Sequence, residues 1–140
     1  MTTPRTLSLE LLADTFAVCR FAPHDPVPAW ALLPATFTSI SRSEHELSIV
    51  CPERVVPLAQ VAERGYRVMR VRGPLPFHAT GILASITQPL AEASIPILAI
   101  ATHDTDYVLV RSRDLASAME ALREAGHTWP AVAHGATPPA

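Results

Sequence analysis

The sequence predicts an α+β fold on a βαββαβ plan, present twice in one chain. Three observations predict it. From residue 64 to 133, strand-like and helix-like patterns alternate in the order β-α-β-β-α-β. Shortened versions of the same segments recur earlier in the chain. The 140 residues are 49% apolar, enough to fill the core of one ordinary domain or two very small ones.

The later half is the plainer. "GYRVMRVRG" (65–73) is rich in β-favouring residues and reads as a strand, with "PLPF" as the loop after it. "TGILASITQPLAEA" (80–93) places apolar residues at 82, 83, 86, 90 and 93, a helical stripe. Pro89 removes one backbone donor inside it, so a bend or an early end is expected. "IPILAIA" (95–101) reads as a short buried strand, "DYVLVRS" (106–112) as another, and "THDTD" as the turn between them. Ser112 is a candidate N-cap for a helix whose stripe is Leu115, Ala118, Met119 and Leu122, and Gly126 is its stop. "HTWPAVA" adds a final strand limited by Pro130. This order is the ferredoxin-like plan. The tail, 134–140, is expected to be disordered.

The earlier half repeats the plan in reduced form. Slid by 60 positions, "ISRSEHELSIV" (40–50) falls on "IATHDTDYVLV" (100–110). Ile40 then meets Ile100, Val50 meets Val110, Glu44 meets Asp104 and Glu46 meets Asp106. Slid by 50, "FAVCR" (16–20) falls on "YRVMR" (66–70), with Val18 and Arg20 matched. The difference, 60 − 50 = 10, reads as a deletion in the first crossover. "PVPAWALLP" and "PERVVPLAQV" are too proline-broken for more than a turn or two of helix. The expected modules are 1–63, with shortened helices, and 64–133.

The segments "ELSIVCPE", "GYRVMRVRGPLPF", "TGILASITQPLAEASIPILAIATHDTDYVLV" and "RDLASAMEALREAGH" resemble the small prokaryotic tandem-ACT proteins. These are similar to the ACT domains of CASTOR-type arginine sensors and aspartate kinases. The resemblance covers roughly residues 7–128 and is most specific from Thr80 to Val110. It implies two ACT modules that bind a free amino acid or a similar small effector, without catalysis. A protein–protein interaction module without a small ligand is the alternative.

The residues themselves offer groups for such a ligand. "ATGI" opens a helix, whose free N–H groups attract a carboxylate, and Gly81 allows close approach to the backbone. Thr80 adds a hydroxyl. Thr102, Asp104 and Asp106 alternate by two, so in an extended stretch they share one face, where an acid suits an ammonium or guanidinium. The same acids also suit a plain turn. The resemblance carries the effector pocket onto Thr80, Gly81 and Ile82, and onto Thr102, His103, Thr105 and Asp106. His103 stands where such relatives carry an aromatic ring. In the earlier half, "PHDPVPAW" replaces the equivalent helix start, so one pocket per chain is expected, not two.

Other classes find little support. Eleven Lys and Arg against thirteen Asp and Glu give a net charge of −2, without the basic excess of a nucleic-acid binder or an anionic-membrane partner. Cys19 and Cys51 have no CxxC spacing and read as buried free thiols. No metal set, cofactor motif, P-loop or nucleophile elbow is present. No apolar run approaches a membrane span and no secretory leader is evident, so a cytoplasmic protein is expected. Open sheet edges predict a homodimer.

Overall fold

The computed structural model describes residues 6–130. They form two compact units. One is Ala13–Tyr66; the other joins the residues up to Leu12 with those from Arg67 onward.

The unit Ala13–Tyr66 holds β2 (Phe16–Phe21), a 3-10 turn (Ala29–Leu32), β3 (Ser39–Arg42), β4 (Leu47–Pro52), a second 3-10 turn (Glu53–Val55) and the first residues of β5 (Glu63–Val71). The strand order is β3-β4-β2-β5. β2 pairs antiparallel with β4, Ala17 opposite Cys51 and Cys19 opposite Ile49. Period-2 alternation puts Ala17 and Cys19 on one face with Leu47, Ile49 and Cys51. Ala31 and Val56, carried by or beside the 3-10 turns, cover that face. Neither segment becomes an α-helix. Pro28 and Pro34 flank the first and Pro52 and Pro57 the second, and each proline lacks a donor. The buried thiols stay protonated. Burial raises Cys19, opposed by the positive charge of Arg64; burial and the neighbouring Cys19 push Cys51 up to about 11.

The other unit holds β1 (Leu9–Leu11), the rest of β5, α1 (Ile82–Glu92), β6 (Leu98–Ala101), β7 (Asp106–Arg111), a 3-10 turn (Ser112–Asp114) and α2 (Leu115–Glu124). Its strands run β1-β5-β7-β6. Ile82, Ile86 and Leu90 of α1 and Leu115, Ala118, Met119 and Leu122 of α2 pack on Met69, Val71, Val108 and Val110. Each large aliphatic side chain buried there contributes roughly 1.5–3 kcal/mol. Both units are α+β and ferredoxin-like: the first follows the βαββαβ order, and in the second β1, from before the first unit, stands in for the last strand. The two helices of the first are reduced to single turns.

Several elements differ from the sequence expectation. The strand beside β5 in the second unit is β1, which precedes the Ala13–Tyr66 unit, and does not come from "HTWPAVA". β1 pairs with β5, Leu9 opposite Val71 and Leu11 opposite Met69. After α2 the chain makes one isolated parallel bridge, Ser8 with Thr128. Pro130, two residues on, has no N–H to continue a ladder. Residues 131–133 of that expected strand, and the 134–140 tail, lie outside the described residues. "IPILAIA" gives a shorter, edge strand: among the described residues β6 pairs only with β7, and Leu98 is 39% exposed. Ile95 is buried but precedes the strand. Ser112 opens a 3-10 turn instead of capping α2, and Asp114 takes the N-cap position without a side-chain bond.

α1 passes through Pro89 without ending. It closes with a Schellman pattern: Ser94, in left-handed conformation (φ 59°), donates to the Ala91 carbonyl, and Ile95 donates to Leu90. α2 closes in the same way. Gly126 (φ 98°) donates to Arg123, and His127 donates to Leu122. Gly126 is the stop the sequence predicts.

Candidate functional site

A cavity of about 210 Å³ lies beside the β6–β7 turn. Its walls are the loop from Leu75 to Ala79, the helix start at Ile82, and residues 101–106. The two loops are held against each other. The Leu75 N–H donates to the Asp104 carbonyl at 2.8 Å, and the Thr105 hydroxyl donates to the Val71 carbonyl at 2.6 Å. At Gly73 a Cβ would stand 3.2 Å from the Asp104 carbonyl and 3.3 Å from the Thr105 Cβ, so glycine permits the approach. The turn closes on itself, with both the Thr102 N–H and its hydroxyl donating to the Thr105 carbonyl at 2.9 Å.

The sequence-predicted residues divide in this geometry. Ile82, Thr102, His103, Thr105 and Asp106 all line the cavity. Thr80 and Gly81 do not; both are exposed. Gly81 earns its place through its backbone: it has φ 75°, which L side chains resist, while the space around its missing Cβ is empty. It stands at the N-cap of α1, with no side-chain cap on the first N–H groups. Thr105 is buried and its hydroxyl proton is already used. Thr102, Asp104 and Asp106 do not share a strand face, because β6 stops at Ala101 and residues 102–105 form a tight turn. His103 Nδ1 lies 3.0 Å from the Asp104 carboxylate, and both side chains are well exposed. The half-buried Asp106 carboxylate has no hydrogen-bond or ion-pair partner among the described residues.

The turn also corrects the internal alignment. Ser43 donates to Glu46 in the β3–β4 hairpin as Thr102 donates to Thr105 in the β6–β7 hairpin. Arg42 faces Leu47 there as Ala101 faces Asp106 here. The structural offset is therefore 102 − 43 = 59, not 60. Leu47, fully buried, is the counterpart of Asp106, and the acid-for-acid matches of Glu44 and Glu46 fall out of register. Arg42 is the counterpart of Ala101. Its guanidinium donates to the Asp25 carbonyl at 2.9 Å and also to that of Pro23.

Comparison with known proteins fits this division. A family model described as an ACT domain matches residues 61–124, and one described as an N-terminal domain matches residues 14–59. A crystal structure of a protein from Agobacterium tumefaciens is similar at 34% identity and TM-score 0.85, over 93% of this chain and 96% of that one. The chain carries an ACT domain. Its fold is shared by a Vibrio cholerae protein described as a possible transport protein (22% identity, TM-score 0.69, 86% and 90% covered). It is shared too by the regulatory subunit of aspartate kinase from Thermus thermophilus (13%, TM-score 0.59, 87% and 99% covered).

Beyond the predicted residues, the cavity of this ACT-domain protein is lined by Leu75, Pro76, Phe77, Ala79, Ala101 and Asp104, and of these Phe77 matters most. Phe77, 73% exposed in the "PLPF" loop, lies 5.4 Å from the His103 ring, centroid to centroid. It provides the aromatic wall that His103 alone lacked. An aromatic ring in a proline-rich loop just before a helix start was the available signal. His78 packs its edge on Phe77 at 5.9 Å and is not part of the lining. Among the described residues no group of three or more His, Cys, Asp or Glu is placed to hold a metal ion. None of their helices is long and apolar enough to cross a membrane.

Proposed function

We propose that this ACT-domain protein is a regulatory, non-catalytic module whose cavity beside the 102–105 turn takes a free amino acid or a similar small zwitterion. The observation that carries this reading is the Asp106 carboxylate, half-buried at the cavity wall and unpartnered among the described residues. An acid so placed suits an ammonium or guanidinium. The uncapped start of α1 at Ile82 offers backbone donors to a carboxylate. Phe77 and His103 give a flat, partly apolar side. At about 210 Å³ the cavity is below the range of about 300–1,000 Å³ typical for drug-sized ligands, which favours a small one.

A thermal-shift screen over the amino acids selects the ligand, since binding to the native state alone raises stability. Calorimetric titration then compares wild type with Asp106→Asn. The expected loss is about 1.5–3 kcal/mol, the worth of a hydrogen bond to a charged group, with the folded state unchanged. Equal affinities for the two proteins would reduce Asp106 to a turn residue.

A further inference from the structure

His127 is one of two buried polar or charged side chains among the described residues, at 3% exposure, and both of its ring nitrogens are engaged. Nδ1 lies 3.0 Å from the Leu7 backbone nitrogen, and Nε2 lies 2.8 Å from the Ser85 carbonyl. The chemistry assigns the tautomer. A backbone N–H only donates, so Nδ1 must be the bare acceptor; a carbonyl only accepts, so Nε2 carries the hydrogen. The imidazole is therefore held neutral.

The partner on α1 is specific. Inside an α-helix the Ser85 carbonyl would accept from the N–H four residues on, but residue 89 is proline and has none. His127 provides the missing donor from another element. One side chain thus completes a broken helix, holds the end of α2 against α1, and fixes Leu7. The Leu7 carbonyl in turn accepts the Thr128 N–H, and Leu9 donates to the Thr128 carbonyl beside β1.

We infer that His127 is a pH-sensitive latch between α1, the end of α2 and the segment leading into β1. Protonation puts a hydrogen on Nδ1 and points it at the Leu7 N–H, so that donor faces donor and the Leu7 contact breaks. The bond to Ser85 survives, because Nε2 keeps its hydrogen. Acid therefore frees residues 6–8 first, while α1 stays attached. Charged groups on the surrounding elements do not compensate. Glu10 on β1 pairs with Arg70 and Arg72, Glu92 on α1 accepts from Gln88, Glu120 on α2 pairs with Arg123, and Glu124 is exposed. Among the described residues none of these pairs with the imidazole. The latch works whatever occupies the cavity.

Urea unfolding of the full chain between pH 8 and pH 5 tests it, comparing wild type with His127→Gln. Glutamine keeps a donor and an acceptor but does not titrate. Wild type should lose stability relative to the variant from pH 8 to pH 5, by at most about tenfold in the folding constant per pH unit, the limit for one proton. Parallel curves would overturn the inference. Nitrogen NMR of the wild-type imidazole is a second test that needs no variant. It should show the Nε2–H tautomer at pH 8, and the Leu7 amide should exchange faster once the ring is protonated. An Nδ1–H tautomer, or a Leu7 amide indifferent to that protonation, would equally overturn it.

Discussion

The β3–β4 and β6–β7 hairpins have the same four-residue loop and the same closing hydrogen bond, yet they end in different chemistry. In the later hairpin the strand-end pair is Ala101 and Asp106, a methyl group and, beside a cavity, an acid that has no partner among the described residues. In the earlier one it is Arg42 and Leu47. The arginine ties down the loop after β2, and the leucine is fully buried. Two substitutions at equivalent backbone positions separate a pocket from a braced surface. The lesson is that a repeated backbone plan does not repeat a site; the side chains at the ends of the middle hairpin decide.

The most disruptive way to test that contrast is to exchange the two residues facing each core. Leu47→Asp places an unpaired charge in a closed interior and should cost about 3–5 kcal/mol in urea unfolding. Asp106→Leu, the reverse exchange, should alter stability by no more than about 1 kcal/mol while removing ligand binding. If Leu47→Asp were mild, the two positions would not differ in burial as described.

A second contrast lies in what covers the sheets. Where α1 and α2 lie, the sheet presents Met69, Val71, Val108 and Val110; where only 3-10 turns lie, it includes the smaller Ala17, Cys19 and Cys51. The thiols report on that thinner cover. The folded state holds the Cys51 proton up to about pH 11, whereas the unfolded chain releases it near the ordinary thiol value of about 8.5. Its contribution is thus complete below that value and is lost as the pH rises through about 11. The loss amounts to about 3–4 kcal/mol at roughly 1.4 kcal/mol per unit. Stability curves of wild type and Cys51→Ala should converge over that interval; curves that stay parallel would mean the thiol meets solvent.

The mildest change is Ala101→Arg, which puts the counterpart of Arg42 at the rim of the cavity. Ala101 is exposed, so stability should shift by about 0.5 kcal/mol or less. Affinity for the ligand chosen by thermal shift should fall at least tenfold by titration. Unchanged affinity would show that the ligand sits away from this rim.

Much of this was legible in the sequence because it rests on local rules. The stripes of α1 and α2 follow the 3.6-residue period, and their buried members are the predicted Ile82, Ile86 and Leu90, and Leu115, Ala118, Met119 and Leu122. The proline-flanked segments predicted short turns and gave them. What stayed hidden depends on distant partners. Nothing near Leu9–Leu11 says that they pair with Met69–Val71. The hairpin register was misread by one position because matching acids outweighed the closing hydrogen bond, which sequence does not display. Five of the seven predicted pocket residues line the cavity, but Thr105 does so as a brace. Phe77 was missed because its contact with His103 crosses two loops.

The placement of β1 bears on how the chain is made. Residues 13–66 are contiguous and hold β2, β3, β4 and the part of β5 that pairs with β2, so this unit can close while later residues are still being translated. The other unit draws one strand from residues 9–11 and both its helices and its β6–β7 hairpin from beyond residue 66. Its first-made strand must wait unpaired until β5 has been made, a pairing across about sixty residues that slows folding.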